Sequence, residues 1–348
     1  MPLIPATILT GFLGSGKTTL LKRVLTETHG QKIAVVENEF GEENIDNEIL
    51  VSDTEEQIFQ MNNGCVCCTI REDLRNTLSL LAAKKRKGLL DFERIVIETT
   101  GLADPGPVAQ TFFIDDEVAE SYLLDAILTV VDAKHAMRQL DERQEARRQV
   151  GFADQLFISK ADLVTPAELE ALQHRLKHMN PRAPQQVVHF GQVPLASVLD
   201  LRGFNLNATL DIDPEFLTED EHVHDHDDHA HHHHDHDHEG HHHAHHHHAD
   251  DDVKSFVYKA ERPFDPAKLE DFLGAIVNIY GPRMLRYKGV LDMKGTQRKV
   301  IFQGVHQLMG SDLGPDWKAD EPRVSKMVFI GIDLPRDILT QGLDQCRV

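Results

Sequence analysis

Residues Gly11-Phe12-Leu13-Gly14-Ser15-Gly16-Lys17-Thr18 fill every fixed position of the pattern G-x-x-x-x-G-K-[ST]. No other stretch constrains the fold as much. The pattern works only as a turn between a strand and a helix. Ala6–Thr10 supplies a run of β-formers before it, and Thr19–Leu25 has helical spacing of apolar residues after it. In that setting consecutive backbone N–H groups surround an anion, and the helix dipole adds to the attraction. Gly11, Gly14, Ser15, Gly16, Lys17, Thr18 and Thr19 are therefore the expected phosphate-binding residues. Lys17 supplies charge to the outer phosphates, and the Thr18 hydroxyl can bind Mg²⁺.

The rest of the first 205 residues alternates strand and helix signals, the pattern of a mainly parallel sheet covered by helices. Strands are expected at Lys32–Val36, Arg94–Ile97, Ala126–Val131 and Gln155–Ile158, with helices at Arg71–Ala83 and Pro166–His178. From Asp211 to Asp252 the chain turns to His and Asp with almost no apolar residues, a composition that cannot bury a core. Periodic signals return at Val253–Tyr258. A helix follows near Pro266–Ile279, then strands at Met284–Met293, Lys299–Gln307 and Lys326–Leu334, and a last helix near Asp337. The expected division is an α/β nucleotide domain over 1–205, a His/Asp-rich insert over 206–252 and a small α+β domain over 253–348.

The net charge of −21 is concentrated in the insert. Asp211–Asp252 holds 15 of the 57 acidic residues and no Lys or Arg, and the 42 acidic and 36 basic residues elsewhere leave −6. There is no basic face of the kind nucleic acid requires. No apolar run approaches the roughly 18 residues of a membrane span. The first residues carry no basic leader, and three of the four cysteines crowd into Cys65-Val66-Cys67-Cys68 rather than forming a disulfide framework. The expected compartment is the cytoplasm, with reduced thiols.

Three further motifs carry chemistry. Glu98-Thr99-Thr100-Gly101 ends a buried strand, where a carboxylate can hold Mg²⁺ and a glycine N–H can meet the γ-phosphate. Ser159-Lys160-Ala161-Asp162 ends another. There the Asp162 carboxylate can accept from guanine N1–H and the exocyclic amine, which tilts the ligand to GTP; Ser159 stands where Asn or Thr is usual and is expected to weaken either the rigidity of the loop or its affinity. In the third, Cys65, Cys67 and Cys68 gather soft ligands suited to Zn²⁺ or Cu(I), with Glu37 and Glu42 as carboxylates to complete an open site. The insert adds 17 of the 23 histidines between His222 and His248, a segment suited to weak binding of several ions. His135, His174, His178, His306, Trp317 and Cys346 are read as structural. No glutamine or arginine can be named to orient the attacking water or to stabilise its transition state.

Taken together, GFLGSGKTTLL, the stretch Glu37–Glu42, GCVCC, ETTG, SKAD, and the C-terminal Leu285–Gly289 and Ile301–Val305 resemble the CobW-like P-loop GTPases, especially the YjiA-like branch. The resemblance implies a metal-carrying GTPase that binds GTP or GDP with Mg²⁺; slow turnover is expected because no arginine finger is identifiable. It implies zinc as cargo, with cobalt or nickel as alternatives, and a client metalloprotein as partner. A homo-oligomer is compatible with it. It implies that Lys17, Thr18 and Glu98 serve hydrolysis, that Gly101, Lys160 and Asp162 complete the nucleotide site, and that Cys65, Cys67 and Cys68 hold the metal with Glu37 and Glu42.

Overall fold

The computed structural model describes residues 2–26, 32–39, 57–62, 69–194, 197–201, 203–204 and 252–348. Seven of its strands form one sheet: β1 (Ile4–Thr10), β2 (Ile33–Glu39), β3 (Gln57–Asn62), β4 (Arg94–Glu98), β5 (Tyr122–Asp132), β6 (Gln155–Ser159) and β7 (Gln185–Val188), in the order β3-β2-β4-β1-β5-β6-β7. Every pairing is parallel. The continuous apolar runs follow from burial on both faces. Ala34, Val36, Ile95 and Ile97 face one core, and Ile33, Val35 and Val96 the other. The first core is closed by Leu74 and Leu78 of α2 (Thr69–Arg86), Val108 and Phe112 of α3 (Pro105–Ile114), and Leu172 and Leu176 of α7 (Pro166–Met179). The second is closed by Leu20, Leu21 and Val24 of α1 (Lys17–Thr26). Between α3 and α7 lie the short helices α4 (Asp116–Ala119), α5 (Ala136–Glu142) and α6 (Gln144–Phe152).

The helix starts are set by local chemistry. Asp104 caps α3 by accepting from Gly106 N, with Pro105 in the first turn. Thr165 and Glu168 form a reciprocal capping box at the start of α7.

The second sheet is antiparallel. Its strands β8 (Val253–Ala260), β9 (Met284–Leu291), β10 (Arg298–Val305), β11 (Leu308–Asp316) and β12 (Ser325–Ile332) run in the order β11-β10-β9-β12-β8. β11 has no counterpart in the sequence expectation. It carries two glycines and a proline and is almost wholly exposed, so it forms the sheet edge without an apolar pattern. One face of this sheet packs Phe256, Tyr287, Phe302 and Phe329 against α8 (Pro266–Tyr280) and α9 (Arg336–Gln345).

The other face joins the core of the parallel domain, through Val253, Leu285, Val305 and Ile330. The approach is close at α6. A Cβ on Gly151 would lie 2.7 Å from Leu285 Cδ1 and 3.1 Å from Val253 Cγ1. Charges cross the same seam. Arg286 donates to Asp154 Oδ1 at 2.8 Å and to the Gly203 carbonyl, and stacks on the Phe204 ring. Lys288 also bonds Asp154 and the Gly203 carbonyl. His306, in the turn between β10 and β11, packs edge-on to Phe152 and against Gly106 at the start of α3. Among the described residues no helix is long and apolar enough to cross a membrane.

Candidate nucleotide-binding site

β1 lies between β4 and β5, so the loop after it opens at the carboxyl edge of the sheet, where open α/β sheets bind ligands. Gly11 cannot be replaced there. Its φ is 141°, and a Cβ would meet the Val130 carbonyl oxygen at 2.3 Å. Gly14 and Gly16, at φ 72° and 100°, turn the chain left-handed, and α1 begins at Lys17. The Lys17 ammonium donates to the carbonyls of Gly11 and Phe12 at 2.8 and 3.3 Å. Burial pulls its pKa down, and the nearby Glu98 carboxylate works against that shift.

The Thr18 hydroxyl donates to Glu98 Oε1 at 2.8 Å. These are two hard oxygen donors side by side, and they come from motifs 80 residues apart. Such a pair fits Mg²⁺, which takes oxygen ligands and keeps several waters. Thr99 ties this strand end to the first, donating from its hydroxyl to that of Thr10 at 2.8 Å. Gly101 packs so closely that a Cβ would lie 2.5 Å from Leu13 N. The segment after β4 therefore rests directly on the phosphate loop.

At the end of β6, Ser159 donates its hydroxyl to the Ser15 carbonyl at 2.6 Å. Through that bond the Ser159 side chain ties β6 to the phosphate loop. Lys160 has a left-handed φ of 55° and donates to Gly14 O and to Asp132 Oδ2, both at 2.7 Å. Asp132 also accepts from His135 Nδ1 at 3.0 Å. Burial acts to raise the Asp132 pKa, but the bonds from Lys160 and His135 outweigh it and hold the carboxyl below its usual range. Asp162 stands exposed in the 3₁₀ turn Ala161–Leu163.

Two supporting residues were not singled out by the sequence. Asp132 ends a buried apolar strand, and that position alone was a usable signal. Gln149 of α6 is 1% exposed and donates to the carbonyls of Gly101 and Ala103 at 3.1 and 3.0 Å, bracing the segment after β4. Nothing local in the sequence marks it.

Of the expected metal set, Glu37 alone is described. It is half-buried in β2, and the parallel register pairs it with Glu98 on one side and Gln60 on the other. Glu42, Cys65, Cys67, Cys68 and the histidines between His222 and His248 lie outside the described residues. Among the described residues no group of three or more His, Cys, Asp and Glu side chains is placed to hold a metal.

Two family models match in series. Residues 5–187 match the nucleotide-binding domain of CobW/HypB/UreG, and residues 253–347 match the cobalamin synthesis protein CobW C-terminal domain. The chain belongs to the CobW family. Its two sheets coincide with the two halves of that architecture. Among CobW-family relatives, it is 37% identical over 335 residues to the zinc chaperone YjiA of Escherichia coli, covering 96% of each chain. It is 33% identical to the zinc chaperone CobW of Pseudomonas aeruginosa, over 98% of this chain and 90% of the relative. The fold superposes on the crystal structure of Zn(II)-bound YjiA GTPase from E. coli with a TM-score of 0.75, at 34% identity and full coverage of both chains.

Proposed function

We propose that the protein is a GTPase that carries zinc to a client protein and that its nucleotide state controls the metal site. The observation that carries this reading is the register of β2 on β4. It sets Glu37, a carboxylate of the expected metal set, beside Glu98, the carboxylate bonded to Thr18. A change at the nucleotide side thus has one strand spacing, about 4.8 Å, to cross before it reaches the metal side. The cysteines fall in sequence between β3, the neighbour of β2, and α2. The names of the relatives support zinc as cargo: the E. coli and P. aeruginosa proteins are called zinc chaperones.

In the reaction, water attacks the γ-phosphorus of GTP and the bond to the β–γ bridging oxygen breaks, giving GDP and phosphate. Lys17 exchanges its two carbonyl partners for phosphate oxygens. Thr18 and Glu98 would hold Mg²⁺, which neutralises charge on the β- and γ-phosphates when bound. Gly101, seated on Leu13, places its N–H beside the same phosphates, and Gln149 keeps that segment from drifting. Lys160 and Asp162 select guanine. The domain division proposed is 1–205, 206–252 and 253–348, and the compartment proposed is the cytoplasm.

The test is zinc affinity, by competition titration, of a protein lacking residues 222–248, in the GDP state and with a non-hydrolysable GTP analogue. One tight zinc is expected, with affinity that differs between the two states and is lost when Cys65, Cys67 and Cys68 become Ser. Equal affinity in both states overturns nucleotide control. Tighter cobalt than zinc changes the cargo. If the deletion removes all bound metal while the triple Ser variant of the full chain loses none, the histidines store metal and the carrier reading fails.

A further inference from the structure

The turn after β7 lies outside the contacts of Lys17, Thr18, Glu98 and Lys160. β6 and β7 are parallel neighbours, and their register pairs Ser159 with Val188. The segments that follow leave the sheet side by side. One is Lys160-Ala161-Asp162. The other is His189-Phe190-Gly191-Gln192, closed by a bond from Gln192 N to His189 O at 2.9 Å. Phe190 and Gly191 both have positive φ, 48° and 73°. Glycine adopts that region freely, but an aromatic residue does so at a cost. Packing does not offset it, because Phe190 is 85% exposed, more than any other large apolar residue described. Gly191 is seated on the helix that follows the phosphate loop. A Cβ there would lie 2.9 Å from Leu20 Cα and 3.0 Å from Thr19 O.

The turn thus stands between the first turn of α1 and the segment that carries Lys160 and Asp162. A nucleotide with its phosphates on Lys17 and Thr18 and its base edge on Asp162 has its base beside this turn. We propose that Phe190 is the base-stacking residue of the nucleotide site, its ring covering one face of the purine while the stem of Lys160 covers the other. Lys160 is suited to that part, since its ammonium is fixed on Gly14 O and Asp132 and its methylenes are held across the site. Stacking on an aromatic ring tolerates any purine, so Phe190 adds affinity and leaves the choice of guanine to Asp162. The inference rests on the nucleotide reading of the preceding section.

The experiment uses the full chain with Phe190→Ala and Phe190→Trp. Binding of GDP, GTP and inorganic tripolyphosphate is measured by calorimetry, and turnover by phosphate release. For Phe190→Ala, the Kd for GDP and GTP rises about tenfold, kcat at saturation stays near wild type, and tripolyphosphate binds as before. Phe190→Trp keeps the affinity, and its fluorescence is quenched by GDP; the chain's single native tryptophan, Trp317, directly follows β11 and gives the baseline. Unchanged GDP affinity in Phe190→Ala overturns the proposal and marks the ring as a docking contact instead. An equal loss for tripolyphosphate also overturns it, because the effect is then not on the base. If wild type binds ATP and not GTP, the guanine reading falls while the stacking test still applies. If wild type binds neither nucleotide, both fall.

Discussion

At the head of the parallel sheet Lys17 is buried with its ammonium on two backbone carbonyls, whereas at the seam between the two sheets Arg286 and Lys288 are buried on a carboxylate. Both places take cations out of water, which is costly unless they are paired. They are paired differently. The carbonyl partners of Lys17 carry only partial charge, so a phosphate can replace them with net gain. Asp154 carries a full charge and also accepts from Ile127 N at 2.9 Å. Burial acts to raise the Asp154 pKa, yet Arg286 and Lys288 hold it below the usual carboxylate range. Burial and the charge of Arg286 bring Lys288 down to about 7, with Asp154 opposing. One cluster is built to be opened by a ligand, and the other to stay closed.

The comparison breaks first at Asp154. Asp154→Asn leaves Arg286 and Lys288 buried beside a neutral group, and loss of one partner from a buried ionic cluster costs about 3–5 kcal/mol. Urea unfolding followed by Trp317 fluorescence measures it. A loss below about 1 kcal/mol would mean that the seam is held by its apolar contacts alone. Lys17→Ala is next, and its effect is on rate. Removing a donor aimed at developing charge lowers turnover about 100- to 1000-fold, while thermal stability holds or rises because a desolvated ammonium is gone. Wild-type turnover in that variant sinks the phosphate-loop assignment.

The smallest effect is at His306. Burial holds its imidazole below the usual pKa, with Asp104 acting to raise it, Arg148 to lower it, and the Gly281 carbonyl facing Nδ1. Below pH about 6.5 the unfolded chain takes up a proton that the folded chain refuses, so stability falls with pH until the folded group itself titrates; above that value there is no dependence from this residue. Melting temperatures between pH 7.5 and 5.5 should fall more steeply in wild type than in His306→Gln. Parallel slopes would remove His306 from the seam's proton balance.

Much of this was readable before the structure. Glu98 and Asp162 could be placed because each follows a buried run that has to be a strand, and a strand end fixes where the next residues point. The interior strands were legible for the same reason: both faces are covered, so Ile95, Val96 and Ile97 are all apolar. The edges were not. β7 is Gln185-Gln186-Val187-Val188, mostly half-buried, and β11 is exposed over most of its length, so neither had to carry a pattern. The seam was invisible because Asp154 and Arg286 are 132 residues apart and meet only when two finished sheets dock. His306 read as an ordinary structural histidine. It is buried, but its packing against Gly106 connects the second sheet to the helix that begins four residues after Gly101.

Phe204 and Asp252 are the last described residue before the histidine-rich stretch and the first after it. Phe204 is held under Arg286 and bonded through its carbonyl to Gln303, and Asp252 is held by Arg147 of α6. Both anchors belong to the seam. The chain between them therefore closes a circuit on a junction that already stands without it, and the entropy of closing such a circuit grows only with the logarithm of its length. Doubling the number of residues adds about 0.6 kcal/mol. Residues can therefore be inserted or deleted there with little effect on the stability of either sheet, while the seam and the phosphate loop keep their geometry.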